Sequence, residues 1–425
     1  MIKKNYKIVE DYILINYHRK LKFLLLALCG AVFLSSYAHA ELEYGRDTST
    51  PQQVPNLDKG LVESLTGFKY NETNFMKSLG VKFGGWTEIG FGGNIDNPRG
   101  TNGPVTFNDG PNEFKLHQVY GFIEREVDTT SNTISFGFRA DIMYGTDARF
   151  SSASNFDANI LNSDNQRRLI FPQVYGEVFL PYGNGITAQL GHFYTLIGYE
   201  VVPSTGNFFF SHAYTMQYGE PFTHSGGILS YPINDNITVR GGAVTGWDAH
   251  FDQPVNFLGS IAFTTDDEAT SLTASLITGD VETGGPAGSA GRDHNRTMYS
   301  VVLEHDITDR LHYVLQHDLG VEQSTAFNGA AQWYGVNQYL FYDILHNLGA
   351  GLRMEWFRDD DGVRVLGNGI GENFIAVTGG LNYTPIAGFI IRPEVRYDRS
   401  TKTAAFDDGN DDDQIMLSVS GIFRF

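Results

Sequence analysis

From residue 80 onward, apolar and polar residues alternate with a period of two in one segment after another, as in a β-strand whose two faces meet different surroundings. Residues 134–144 set Ile134, Phe136, Phe138, Ala140, Ile142 and Tyr144 on one face and Ser135, Gly137, Arg139, Asp141 and Met143 on the other. Residues 348–356 set Leu348, Ala350, Leu352, Met354 and Trp356 against Gly349, Gly351, Arg353 and Glu355. Both put charges at mid-strand on the polar face. Residues 113–128 and 329–343 fit either face, and Pro393 interrupts one strand. The pattern predicts sixteen strands, near 80–92, 113–128, 132–146, 168–180, 184–193, 222–233, 236–248, 255–265, 269–281, 296–308, 310–323, 329–343, 345–359, 371–385, 388–401 and 412–425.

A soluble sandwich also alternates, so the connections have to decide. Tight links such as "DTTSN", "PYGNG", "PINDN", "DITDR" and "TPIAG" take turns with long ones such as 93–112, 147–167, 281–295 and 402–411. An even strand count with short turns at one rim and long loops at the other is the layout of a transmembrane antiparallel β-barrel. A bilayer requires closure, because it offers no water to satisfy an open strand edge.

The N-terminus fits export. Lys3, Lys4, Lys7, Arg19, Lys20 and Lys22 precede the apolar run "FLLLALCGAVFL", and Ala38-His39-Ala40 follows as an A-x-A cleavage site. The run is too short for a membrane-spanning helix, which needs roughly 20 residues. Residues 1–40 are therefore read as a signal peptide, 41–79 as a periplasmic linker with a short helix (Leu57, Leu61, Leu65 and Phe68 at helical spacing), and 80–425 as the barrel. Cys29 is the only cysteine and leaves with the signal, so no disulfide and no Cys-ligated metal is expected.

Composition agrees with strands and turns: Gly 48, Tyr 22 and Phe 31, with 19% charged residues. Removing the six basic and two acidic residues of the first forty leaves 24 Lys+Arg against 47 Asp+Glu, a net charge of −23. That surplus argues against nucleic acid as a partner.

The last strand aligns Ile415, Leu417, Val419, Gly421, Phe423 and Phe425 on one face. Here the chain resembles bacterial outer-membrane proteins, in which a terminal Phe preceded by alternating apolar residues is the signal read by the barrel insertion machinery. Phe423 and Phe425 are the assembly-signal candidates. The run "GHFYTLIGYEVVPSTGNFFFSHAYTMQYGEPFTHSGGILSYPIND" (191–235), with "GWDAHFD" (246–252) and "YGTDAR" (144–149), resembles the OmpL-like β-barrel porin family. The resemblance implies a Gram-negative outer-membrane pore, set in lipid and lipopolysaccharide. It carries over no solute and no catalytic residue.

Residues 194–221 form the third long connection. In general porins of sixteen strands that loop folds into the lumen and sets its narrowest point, and such porins are often homotrimers. The corresponding expectation is that Phe208, Phe209 and Phe210 anchor the loop on the wall while Glu200, His212 and Glu220 face the pore. An exposed surface loop is the plainer alternative.

Charges on the polar faces are Arg139, Asp141, Arg240, Arg353, Glu355, Arg392, Glu394, Arg396 and Asp398. An Arg on a lipid face at mid-membrane costs roughly 2–4 kcal/mol, so these belong to the lumen. They would either set up a transverse field across the passage or form neutralised pairs that brace the wall.

Enzymatic signals are weak: no His-x-Ser occurs, and Asp280, Asp293 and His294 are only a loose match to an omptin-like site. No cofactor or metal is expected. The acidic stretches "RDDDG" and "DDGNDDD" read as solvated loops, without the spacing of a calcium-binding EF-hand. The function expected is passive diffusion of small hydrophilic solutes. The alternative is a closed barrel with a structural or adhesive role through its outer loops.

Overall fold

The computed structural model describes residues 59–158, 160, 166–281, 294–323 and 329–425. The signal peptide expected over 1–40 and the linker "TSTPQQVPN" lie outside the described residues. The strands are β1 (Lys82–Asn94), β2 (Glu113–Arg125), β3 (Ser135–Gly145), β4 (Arg168–Ile170), β5 (Val174–Leu180), β6 (Ile186–Tyr194), β7 (Thr223–Pro232), β8 (Ile237–Thr245) and β9 (Val255–Thr264). They continue with β10 (Thr270–Val281), β11 (His294–Thr308), β12 (Leu311–Glu322), β13 (Ala331–Leu345), β14 (Leu348–Asp359), β15 (Glu372–Ile386), β16 (Phe389–Ser400) and β17 (Asp413–Arg424). Each pairs antiparallel with its neighbours, and β17 returns to β1 with Trp86 opposite Arg424, which closes the sheet.

β4 and β5 are one wall strand broken around Pro172, since β3 pairs with both. Pro has no N–H for the ladder, which explains why the single strand expected over 168–180 is interrupted. The wall therefore has the expected sixteen strands.

Alternation decides which side each residue faces. Phe136, Leu190, Leu229, Phe257, Ile261, Tyr342, Trp356 and Val419 point outward and are exposed. Such a surface would be a liability in water and is the natural face toward lipid. The inward faces carry Glu88, Asp141, Asn337, Arg353, Glu355, Arg392, Glu394, Arg396 and Asp398, all buried. No described helix is long and apolar enough to cross a membrane; the strands are the spanning elements.

Ahead of the barrel stand two short helices: α1 (Leu61–Thr66) lies inside the stretch 57–68 where helical spacing was noted, of which Leu57 is outside the described residues, and α2 (Asn74–Leu79) follows beyond it. Gly67 (φ 71°) and Gly80 (φ 63°) end them in the left-handed conformation that suits glycine. Gly60 packs on the backbone of Phe425, so this segment lies against the closing strand at the short-turn rim.

Candidate functional site

The connection between β6 and β7 crosses the lumen and is held to the wall along its length. Its sequence has no strand or helix period because almost every residue meets a different partner. Its regular pieces are two short turns, a 3-10 turn over Ser204–Gly206 and a π-helical turn over Thr215–Gly219.

The loop's first half is fixed by a bulge in β2. The register shifts opposite Glu88/Ile89, turning both His117 and Gln118 inward. Gln118 accepts from the Ser204 amide at 3.1 Å and donates to the Val202 carbonyl at 2.8 Å. Its oxygen also accepts from the Trp86 indole at 2.9 Å, and its amide donates to Asp147 at 2.9 Å. Asp147 lies 3.0 Å from His117.

At mid-loop, three consecutive phenylalanines sit on three glycines of the wall. Phe208 lies over Gly351, where a Cβ would come within 2.5 Å of its ring. Phe209 lies over Gly380, where a Cβ would be 3.3 Å away, and Phe210 covers Gly90. Each glycine leaves the space that a larger side chain would fill. Phe208 and Phe209 also pack on Phe341, and Phe210 meets His117 edge to face at 4.8 Å.

The wall charges bind the loop's backbone. Glu394 accepts from the amides of Phe210 (2.9 Å) and Ser211 (3.2 Å), and Glu355 accepts from those of Tyr214 and Thr215 (2.7 Å each). Arg392 donates to the carbonyls of Ser204, Asn207 and Phe209 while pairing with Glu88. Arg396 donates to His212 O at 2.5 Å and pairs with Asp398 at 2.8 Å. Arg353 donates to Ser211 O at 2.7 Å and pairs with Glu200 at 2.6 Å. Loop aromatics cover two of these guanidiniums: Phe209 is 5.1 Å from Arg353 and Tyr214 is 5.0 Å from Arg396. An irregular backbone is tolerated in a barrel when its amides and carbonyls are met in this way.

This geometry revises several expected roles. Glu200, His212 and Glu220, expected on the pore side, are all buried. Glu200 contacts Arg353, His212 (3.2 Å), the Ala213 amide (2.9 Å) and Tyr339 (3.1 Å). Burial raises the pKa of its carboxyl, but Arg353, His212 and the Ala213 amide outweigh that and hold it at about 2. Glu220 contacts Gln316 at 2.6 Å. Burial, followed by the charge and hydrogen bond of Asp318, pushes its carboxyl well above the usual range. Neither acid is placed to project a charge into an open passage.

Most wall charges on β14 and β16 are consumed in the same way. Arg353, Glu355, Arg392, Glu394 and Arg396 brace the loop, and Asp398 braces Arg396, instead of facing one another across open water. On β3, Arg139 bridges Glu124 and Asp141 at 2.8 Å each. Arg240 differs: it lies on the inward face of β8, solvent-exposed, with no salt bridge among the described residues.

Outer loops pack on top. Phe107 contacts the His212 ring at 4.5 Å, Thr106 binds Gln217 through its amide and hydroxyl, and Tyr218 donates to Pro104 O at 2.5 Å. Arg364, in the loop after β14, donates to Tyr218 O at 2.7 Å. Asp411, Asp412 and Asp413 hold carboxylate oxygens within 4.8 Å of one another at the long-loop rim.

Glu88, His117, Gln118 and Gln316 were absent from the expected set. Glu88 and the His117–Gln118 pair could have been suspected from polar residues inside strongly apolar strands. The bulge itself leaves no signature in the sequence.

An antiparallel barrel of sixteen wall strands, with apolar residues outward and a loop folded into its lumen, defines the class of outer-membrane porins. The family described as "Putative beta-barrel porin-2, OmpL-like" matches residues 80–425, and the chain belongs to that family. No curated protein sequence matches it. Among solved structures it resembles the outer-membrane channel DcaP of Acinetobacter baumannii (12% identity, 81% of this chain and 97% of that chain, TM-score 0.55). It also resembles an anion-selective porin from Comamonas acidovorans (9%, 81% and 99%, 0.56) and OprB of Pseudomonas putida (12%, 84% and 97%, 0.55). At these identities the likeness concerns the fold.

Proposed function

We propose that this porin is a passive diffusion channel for small hydrophilic solutes, narrowed at mid-height by residues 194–221. The observation that carries the reading is the set of wall charges that hold the loop's backbone across the lumen, since a loop so fixed subtracts from the cross-section whatever solute passes. Transport by this route needs no cofactor and no covalent chemistry. Polar side chains and water in the remaining space would replace part of a solute's hydration, and an apolar molecule would gain nothing by entering.

A homotrimer is the assembly we propose, and OmpT, an outer membrane protein of Vibrio cholerae with the same fold, is described in a trimer form (11% identity, TM-score 0.52). The second reading, a closed barrel that acts through its outer loops, draws support from the apolar clusters that fill inward-facing positions, such as Phe193, Ile228, Val244, Leu258 and Met298. Single-channel recording in a planar bilayer separates the two. Discrete current steps that scale with salt support the channel, and their absence from a correctly folded preparation supports the closed barrel.

A further inference from the structure

The C-terminal stem of the lumen loop is attached to the wall by an arrangement that its own groups do not balance. Glu220 and Asp318 are both buried, and Gln316 donates one amide group to both, at 2.6 Å to Glu220 Oε1 and 3.0 Å to Asp318 Oδ1. No Lys, Arg or His is paired with either carboxyl among the described residues. Asp318 is completely buried, yet its Oδ2 has no hydrogen-bond partner. The hydroxyl of Ser300, directly opposite Asp318 in the β11–β12 register and 1% exposed, reaches no group among the described residues besides the Asp318 carboxyl. On the other side, Glu220 presses against the backbone of Gly198, so the site is closed by the loop's N-terminal stem.

Two buried carboxyls without a cation are strongly unfavourable. A shared proton would compensate one charge and satisfy one oxygen, leaving the second buried charge as it is. A divalent cation would balance both carboxylates and take the orphaned oxygens as ligands. Carboxylate, hydroxyl and amide oxygens are the donors that hard cations select, and calcium tolerates the irregular geometry that a loop and two strands provide. Rotating the Gln316 amide by half a turn would add its carbonyl oxygen, and O/N assignment of such a group follows its surroundings.

We propose that Glu220, Asp318 and Ser300, with Gln316, form a buried site for a calcium-like divalent cation that fastens the lumen loop to β11 and β12. The site is distinct from the acidic triplet Asp411–Asp413 at the rim. It is also independent of whether the barrel conducts, because it concerns how the loop is held.

Terbium luminescence tests it, with Tb³⁺ as the probe. The Trp333 indole donates to Gly219 O at 3.0 Å, beside Glu220, so excitation of tryptophan should sensitise a bound lanthanide. The full-length protein, folded in detergent and stripped with EDTA, should give a saturable signal that Ca²⁺ displaces. The signal should be lost in Glu220→Gln/Asp318→Asn and weakened in Ser300→Ala. It should be retained when Asp411, Asp412 and Asp413 are replaced by Asn. The double variant removes two buried charges and should keep its heat-modifiable barrel, so a lost signal would not reflect unfolding. Absence of a signal in the stripped wild-type protein, or an unchanged signal in the double variant, would overturn the proposal. Protection of the loop from protease that is lost as the pH rises and does not respond to Ca²⁺ would replace the cation by a shared proton, a direction opposite to the acid-driven loss that Glu200 produces.

Discussion

Arg353 Nη1 lies 2.6 Å from Glu200 Oε1, an ion pair between the barrel wall and the loop that crosses its lumen, with both partners buried. Such a pair is worth little compared with a well-packed apolar substitute, but removing one partner alone strands the other charge, at about 3–5 kcal/mol. Arg353→Met should therefore undock the loop while the strands stay paired. A cysteine placed at residue 208 should become reactive in that background and stay protected in the otherwise unchanged barrel.

The same pair sets a pH dependence. Docked, Glu200 has a pKa of about 2 against an ordinary 4.5, so the docked loop favours the ionised form. Its contribution is complete above pH 4.5 and is lost as the pH falls from there through 2. Protease sensitivity of residues 204–219 should rise on acidification over that window and show little change between pH 6 and 8 from this group. Onset above pH 6 would assign the transition to another residue.

Much of this was legible in the sequence, and what was missed has a physical cause. Period-two alternation located the wall and its two faces, because lipid and lumen impose opposite demands on adjacent residues. The terminal aromatics and the long third connection were visible for the same reason. Glu200 and Glu220 were misplaced because a carboxylate in an irregular segment carries no periodicity to say which way it points. Their partners, Arg353 and Gln316, lie 153 and 96 residues away and meet them only after closure. Helical spacing over 57–68 pointed to one short helix, and α1 lies inside that stretch and ends at Gly67, whereas α2, capped by Thr73 accepting from the Met76 amide at 3.5 Å, lies beyond it and carried too few apolar positions to show a period.

The glycine cradles give a second handle on the loop. Gly351→Leu would place its side chain where the Phe208 ring lies, and Gly90→Leu would do the same to Phe210. Either should loosen the loop by steric displacement alone, leaving every charge in place. The combined variant should therefore expose residue 208 at neutral pH with no added acid dependence. Full protection of a well-inserted double variant would show that the rings find other seats.

Phe425 sits at the seam between the first and last strands. Phe425 exchanges backbone hydrogen bonds with Gly85, at 2.9 and 3.2 Å, and its ring covers that glycine, while Phe423 stacks on Phe389 at 4.5 Å. Replacing Phe425 with Asp removes the apolar cover from the seam between first and last strands. The expected result is less heat-modifiable barrel in the outer membrane and more degradation in the periplasm. Wild-type amounts of inserted Phe425→Asp protein would contradict the assembly-signal role.

Topology can be mapped with single cysteines, because the only native one, Cys29, lies in the expected signal peptide. Asn155 and Gly409 are in long connections, and Asn184 and Asp309 are in tight turns. A membrane-impermeant maleimide applied to intact cells should label the first pair and spare the second. The reverse pattern would invert the barrel.

Excising residues 204–219 and joining the stems with a short Gly-Ser linker should widen the passage. The excision removes the three phenylalanines and the π-helical turn, and it frees Arg353, Glu355, Arg392, Glu394 and Arg396 from the backbone groups they now hold. Those charges would not unfold the wall, because a wider lumen admits water to hydrate them, and a polar, water-filled interior is the ordinary state of a large barrel. Conductance and the exclusion limit for uncharged solutes should both increase. Ion preference should follow a different residue. Glu220 is buried behind the loop, so Glu220→Gln should leave selectivity unchanged, whereas Arg240, exposed on the inward face of β8, should repel cations until Arg240→Gln removes its charge. A charge inside a narrow passage acts at reduced dielectric, while one on an outer loop is screened over roughly 8 Å at physiological salt. Reversal potentials across a salt gradient measure that shift. An excision variant with a well-folded barrel and unchanged conductance and exclusion limit would place residues 204–219 outside the route that solutes take.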